Sequence, residues 1–92
     1  GPDHFGTIAR TALRLPSGRW RITTLSDDGV RVLVNGQTII ENWTWHGPTR
    51  DTAEFDIPPP RQGEQPPPTE ITVEHFELDG YAVLEVQIEP AR

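Results

Sequence analysis

Cysteine is absent from the 92 residues, which removes disulfides, zinc–thiolate sites and thiol nucleophiles together. Such a chain is held by its apolar core alone. Lysine is absent too: all eight basic residues are Arg, and against 14 acids they leave a net charge of −6. With a sequence pI near 4.8 the chain lacks the clustered cations on which nucleic-acid binding rests. No run approaches the roughly 20 apolar residues of a membrane span, and no secretion signal is present. Membrane insertion is therefore not expected. A chain this short buries only roughly 60 to 65% of the surface its unfolded form exposes, enough for one modest core. Residues 3–92 are accordingly expected to form a single, monomeric domain, with Gly1 and Pro2 the scar of a tag-cleaving protease.

What the chain has is period-two patterning. From Trp20 to Trp45, three strand-like runs are separated by Asp28-Gly29 and Asn35-Gly36. These dipeptides most easily supply the two positive φ values of a type I′ turn, so the expectation is a three-stranded antiparallel meander. Residues Arg10 to Leu15 read as a preceding strand, and Thr52 to Ile57 as a later one. Proline triplets at Pro58–Pro60 and Pro66–Pro68 cannot enter a sheet interior, because proline lacks a ladder donor. That segment is expected to be an extended, solvated loop. Glu70 to Glu89 reads as a closing hairpin about Asp79-Gly80, with Phe76 opposite Val83, His75 opposite Leu84 and Glu74 opposite Glu85. Its core face would be Ile71, Val73, His75, Ala82, Leu84, Val86 and Ile88, making His75 a satisfied core residue. About seven short strands and no substantial helix predict an all-β antiparallel sandwich or partly closed barrel.

The order LPSGRWRITTLSDDGVRVLVNGQTIIENWTWH resembles the core of the protective-antigen (PA-fourteen) domain family, found in bacterial exported proteins, glycosidases and yeast flocculin-type adhesins. The matching positions are Gly18, Trp20, Ser26, Asp27, Asp28, Gly29, Val30, Val32, Gly36, Ile40, Glu41, Asn42, Trp43 and His46. The segment ITVEHFELDGYAVLEVQI looks like the family's closing hairpin. The likeness runs from about Phe5 to Ile88, and paired Asp-Gly with Asn-Trp is its specific part. Two departures stand out: the chain is short for the family, and its proline loop sits where a strand ending in a Gly turn is usual. The resemblance implies a β-sandwich of jelly-roll type that is not an enzyme. It also implies sugar binding and attachment to neighbouring domains of a larger secreted or cell-surface protein. In flocculin-like members the two adjacent aspartates bind calcium and sugar hydroxyls complete the shell, which would make Asp27 and Asp28 the metal ligands.

The chemistry of the residues bears on that expectation. Calcium takes about six to eight oxygen ligands. Neighbours on a regular strand point to opposite faces, so Asp27 and Asp28 converge on one ion only if the backbone between them is distorted. The competing reading is a turn in which Asp28 starts the bend and Asp27 caps it. Asn42, Asp51 and Asp56 are the nearest further donors. Trp43 and Trp45 share one side of an extended segment. Trp43 is expected in the core and Trp45 on the surface, where with His46 and Asn42 it would offer a sugar a ring face and polar neighbours. Asn42-Trp43-Thr44 is also a glycosylation sequon, meaningful only in a eukaryotic secretory source. For catalysis the chain offers no paired-His helix, nucleophile elbow or phosphate loop. The expected site is thus Asp27, Asp28, Asn42, Trp45 and His46, for a glycan or polysaccharide. The alternative is a structural or protein-interaction module without a sugar ligand.

Overall fold

The computed structural model describes residues 5–27, 29–43, 48–77 and 83–91. They form seven strands: β1 (Phe5–Leu13), β2 (Gly18–Asp27), β3 (Gly29–Val34), β4 (Gln37–Asn42), β5 (Thr49–Ile57), β6 (Thr69–Glu77) and β7 (Val83–Pro90). Two antiparallel sheets result, one in the order β1-β6-β3-β4 and the other β5-β2-β7. The all-β sandwich expected from the alternation is what forms.

Alternate residues face a shared interior, and the β-branched ones decide which. Val30, Val32 and Val34 of β3, Ile40 of β4, and Ile71 and Val73 of β6 close over Ile22 of β2 and Phe55 and Ile57 of β5, all of them buried. Asn35 (φ 49°) and Gly36 (φ 81°) make the two-residue β3–β4 turn, as their preference for positive φ predicts. The turn is pinned to β6 from both sides: the Asn35 amide donates to the Glu70 carbonyl, and the Glu70 amide donates to Asn35 Oδ1, each at 2.8 Å. A register shift after Val32 leaves Ile39 as the extra residue of a bulge, which reconciles adjacent Ile39 and Ile40 with strict alternation.

The other two hairpin expectations fail. β2 does not pair with β3; it pairs with β5 and β7 in the opposite sheet. Asp27 ends β2 in one sheet and Gly29 begins β3 in the other, and Gly29 is an extended strand residue without positive φ. Local turn chemistry says that a chain bends, not which sheet receives it. Likewise β6 pairs with β1 and β3, whereas β7 pairs with β2, so the Phe76–Val83, His75–Leu84 and Glu74–Glu85 oppositions do not form. The Asp79-Gly80 stretch lies outside the described residues. Glu74 instead meets Arg31 at 2.8 Å. Leu84 and Val86 do face inward, opposite Ser26 and Thr24, but they are 37% and 38% exposed and are not core.

The 58–68 connection contains no strand or helix, as the prolines require. It is held by an Arg61–Glu64 turn and by Arg14, whose Nη1 donates to the Pro66 carbonyl at 3.1 Å. On the outer face of the β5-β2-β7 sheet, Arg19 binds Glu54 at 2.6 Å and Asp56 at 3.0 Å, while Arg21 binds Glu54 at 3.2 Å. The hydrogen bond from Arg19, then that from Arg21, holds the Glu54 carboxyl below its ordinary range.

Candidate functional site

The antiparallel registers gather one set of chain ends. Asp27 pairs with Val83, Ser26 with Thr49, Val30 with Asn42 and Gly29 with Phe76. The last residues of β2, β4 and β6 and the first residues of β3, β5 and β7 therefore all lie at one end of the sandwich.

At that end the interior changes character. Along the inward positions of β2, Trp20 and Ile22 give way to Thr24 and Ser26; along β5, Ile57, Phe55 and Ala53 give way to Asp51 and Thr49. On β4 Ile40 is followed by Asn42, and on β6 Ile71 and Val73 by His75. Thr24, Ser26 and His75 are buried. A buried polar group is costly unless hydrogen-bonded, and much of this set is paired. His75 Nε2–H donates to the Asp27 carbonyl at 2.9 Å, and Asn42 Nδ2 donates to Asp51 Oδ2 at 3.0 Å. Both bonds cross between sheets. Thr24 Oγ1 is buried with no hydrogen-bond partner among the described residues.

Of the residues expected to form the site, Asp27 and Asn42 are brought to this end half-buried. Asp28, Trp45 and His46 lie outside the described residues. Asp51 joins the set through Asn42. Asp56 does not: it lies toward the Gly18 end, bound by Arg19. Among the described residues no three acid or histidine side chains form a metal-holding group. The oxygen donors of Asp27, Asn42 and Asp51 are nonetheless the hard type that calcium takes.

Trp43 departs from expectation. It is 40% exposed on the outer face of the β1-β6-β3-β4 sheet, not core. Its ring meets that of Phe76 at 4.6 Å between centroids, tilted by 59°, and the Arg31 guanidinium lies 4.7 Å from its centroid. Arg31 is anchored in turn by Glu74 at 2.8 Å and Glu41 at 3.0 Å, and the hydrogen bond it donates to Glu74 is the main reason its pKa is raised. The Phe76 ring lies over Gly29, where a Cβ would overlap it. Glycine at this position is thus a requirement of close approach rather than of a turn. Sequence reasoning missed this aromatic–cation cluster because Arg31, Trp43 and Phe76 come from β3, from just past the end of β4 and from β6. The Thr24–Ser26 switch on β2 was visible as polar residues at inward positions, yet it reads as ordinary β-branched strand.

A concavity of about 310 Å³ lies at the opposite end, lined by Phe55, Ile57 and the prolines of the 58–68 loop. It contains none of the expected site residues. The loop therefore belongs to the end far from Asp27 and Asn42.

A family model, that of the PA14 domain, matches residues 1–84. The chain belongs to the PA14 domain family. A PA14 sugar-binding domain from an RTX adhesin superposes with a TM-score of 0.79 at 25% identity, over 96% of this chain and 47% of that one. The PA14 domain of MpAFP antifreeze protein superposes with a TM-score of 0.76 at 17% identity, over 92% of this chain and 43% of that one. The second likeness, at so low an identity, speaks to the fold. This PA14 chain thus spans less than half the length of either structural neighbour. No curated protein matches it in sequence. The sandwich and its strand content are those of PA14 domains, so the resemblance read from the Asp-Asp-Gly and Asn-Trp segments holds.

Proposed function

We propose that this PA14 domain is a non-catalytic carbohydrate-binding module of a larger secreted or cell-surface protein. The glycan would lie at the end of the sandwich that carries Asp27 and Asn42. The observation that carries the reading is the change from apolar to polar interior at that end, with Thr24, Ser26, Asn42, Asp51 and His75 replacing aliphatic residues on four strands. A core gains nothing from that exchange, whereas a site for hydroxyl-rich ligands needs fixed donors and acceptors. The likeness to a sugar-binding domain of an adhesin supports the same ligand class. Asp27 and Asp28 would hold a calcium ion, with Asn42 oriented by its bond to Asp51. Trp43, exposed one residue beyond Asn42, supplies a ring for the apolar face of a sugar, beside whatever Trp45 and His46 contribute.

Glycan-array binding in calcium and in chelator tests the proposal. Binding that depends on calcium and disappears in Asp27→Ala and Asn42→Ala supports it. A chain that binds no glycan in either condition overturns it. A calcium titration of the melting temperature separates this reading from a purely structural or protein-docking module, since an ion that binds only the folded state must raise that temperature.

A further inference from the structure

The carbonyl of Asp27 belongs to the peptide bond that joins Asp27 to Asp28. A strand carbonyl ordinarily accepts from the neighbouring strand of its own sheet. This one accepts at 2.9 Å from Nε2–H of His75, which stands on β6 in the opposite sheet. A main-chain carbonyl can only accept, so the ring nitrogen that faces it carries hydrogen. On the other flank of Asp28, Gly29 pairs with Phe76 in the β3–β6 ladder and lies so close to its ring that a Cβ would overlap it. Two consecutive residues of β6 thus hold the chain on both sides of position 28. His75 takes an inward place that Ile71 and Val73 fill with aliphatic groups earlier on the same strand. Burying an imidazole costs desolvation that an aliphatic side chain does not. What it supplies that a third aliphatic residue could not is a donor to the Asp27 carbonyl.

We propose that His75 and Phe76 are positioning residues for the Asp27–Asp28 pair: His75 fixes the plane of the peptide unit between the two aspartates, and Phe76, through Gly29, fixes where the chain leaves it. This rests on the calcium reading above. Neighbouring carboxylates converge on one ion only when the backbone between them departs from a regular strand. The cost of ordering that backbone is subtracted from the affinity unless the fold has already met it. The hydrogen bond and the close contact meet it before the ion arrives. Groups that orient metal ligands without touching the metal typically contribute about 10- to 100-fold in affinity. His75 and Phe76 belong to that class, because both act through the main chain.

Calorimetric titration with calcium, on variants shown by circular dichroism to be folded, supplies the test. His75→Leu removes the donor and Gly29→Ala forces the Phe76 contact apart; each should weaken calcium binding by about 10- to 100-fold. His75→Gln, whose amide reaches nearly as far as Nε2, should recover most of that loss. Val73→Ala lowers stability from a buried position on the same strand without altering either flank, and should bind calcium as the wild-type chain does. Gly29→Ala decides the matter where His75→Leu does not fold. Wild-type binding that His75→Leu or Gly29→Ala leaves unchanged overturns this inference alone. So does equal weakening by His75→Gln and His75→Leu, or comparable weakening by Val73→Ala, which would trace the loss to stability. A wild-type chain that binds no calcium overturns the inference together with the reading beneath it.

Discussion

The Nε2–H of His75 donates to the main-chain carbonyl of Asp27 across 2.9 Å, tying an inner strand of one sheet to the end of the central strand of the other. The ring is only 5% exposed, so replacement by an apolar residue leaves a buried carbonyl without that donor. His75→Leu should lower stability by about 1–3 kcal/mol, read from urea unfolding. A loss below about 0.5 kcal/mol, the level of an ordinary surface change, would show that the bond contributes little.

Gly29 and Phe76 form a second steric couple. A methyl group at position 29 meets the ring, and the backbone there is extended, so the penalty is one of overpacking and not of φ. Gly29→Ala should cost about 1–3 kcal/mol. Removing the ring relieves that clash, so Gly29→Ala combined with Phe76→Ala should lose clearly less than the sum of the single changes.

Inward position alone does not make a residue core. Ile71, 2% exposed between β1 and β3, should cost about 2–5 kcal/mol on truncation to Ala. Leu84→Ala should cost about 1 kcal/mol or less, as for other partly exposed positions. Equal losses in urea melts would show that the β7 edge is covered within the monomer.

Thr24 offers a stabilising change. Its hydroxyl is buried and unpaired among the described residues, and valine has nearly the same shape. Thr24→Val should raise stability by about 1 kcal/mol, because an unsatisfied buried group costs its desolvation. If Thr24 serves a bound sugar or ion, the same variant should bind more weakly while melting higher.

Acid should act through Glu54. Its folded-state pKa lies below the ordinary 4.5 because Arg19, then Arg21, donates to the carboxylate. A depressed carboxylate stabilises the fold above its unfolded pKa and loses that contribution as pH falls through the lower folded value. The melting temperature of the wild-type chain should therefore drop more steeply below about pH 4.5 than that of Glu54→Gln. Parallel curves would assign the acid sensitivity to other carboxylates.

These outcomes mark where the residues were legible and where they were not. Alternation along β2, β3 and β6 revealed strands, their inward faces and the burial of His75, because period two is a local property. The Asn35-Gly36 turn was legible for the same reason. Strand pairing was not: Asp28-Gly29 and Asp79-Gly80 carry the same turn signal as Asn35-Gly36, yet the strands on either side of each join opposite sheets. Trp43 was misplaced because period two assigns a residue to a face without saying whether a second layer covers it. Asp27 and Asn42 were identified by motif, and Asp51 and Asp56 were named together as further donors, but only the approach of β5 to β4 decides between those two, bringing Asp51 to Asn42.

Five of the six links between successive strands pass from one sheet to the other, and β3–β4 alone closes on itself. Every other pairing joins distant stretches, as when Phe5 meets Glu77 or Gly18 meets Ile57. The time the chain takes to find its shape is set by this wiring: one hairpin can form within microseconds, and the remaining ladders must wait for long loops to close. Refolding should accordingly fall in the range of milliseconds to seconds that marks β-proteins dominated by non-local pairing.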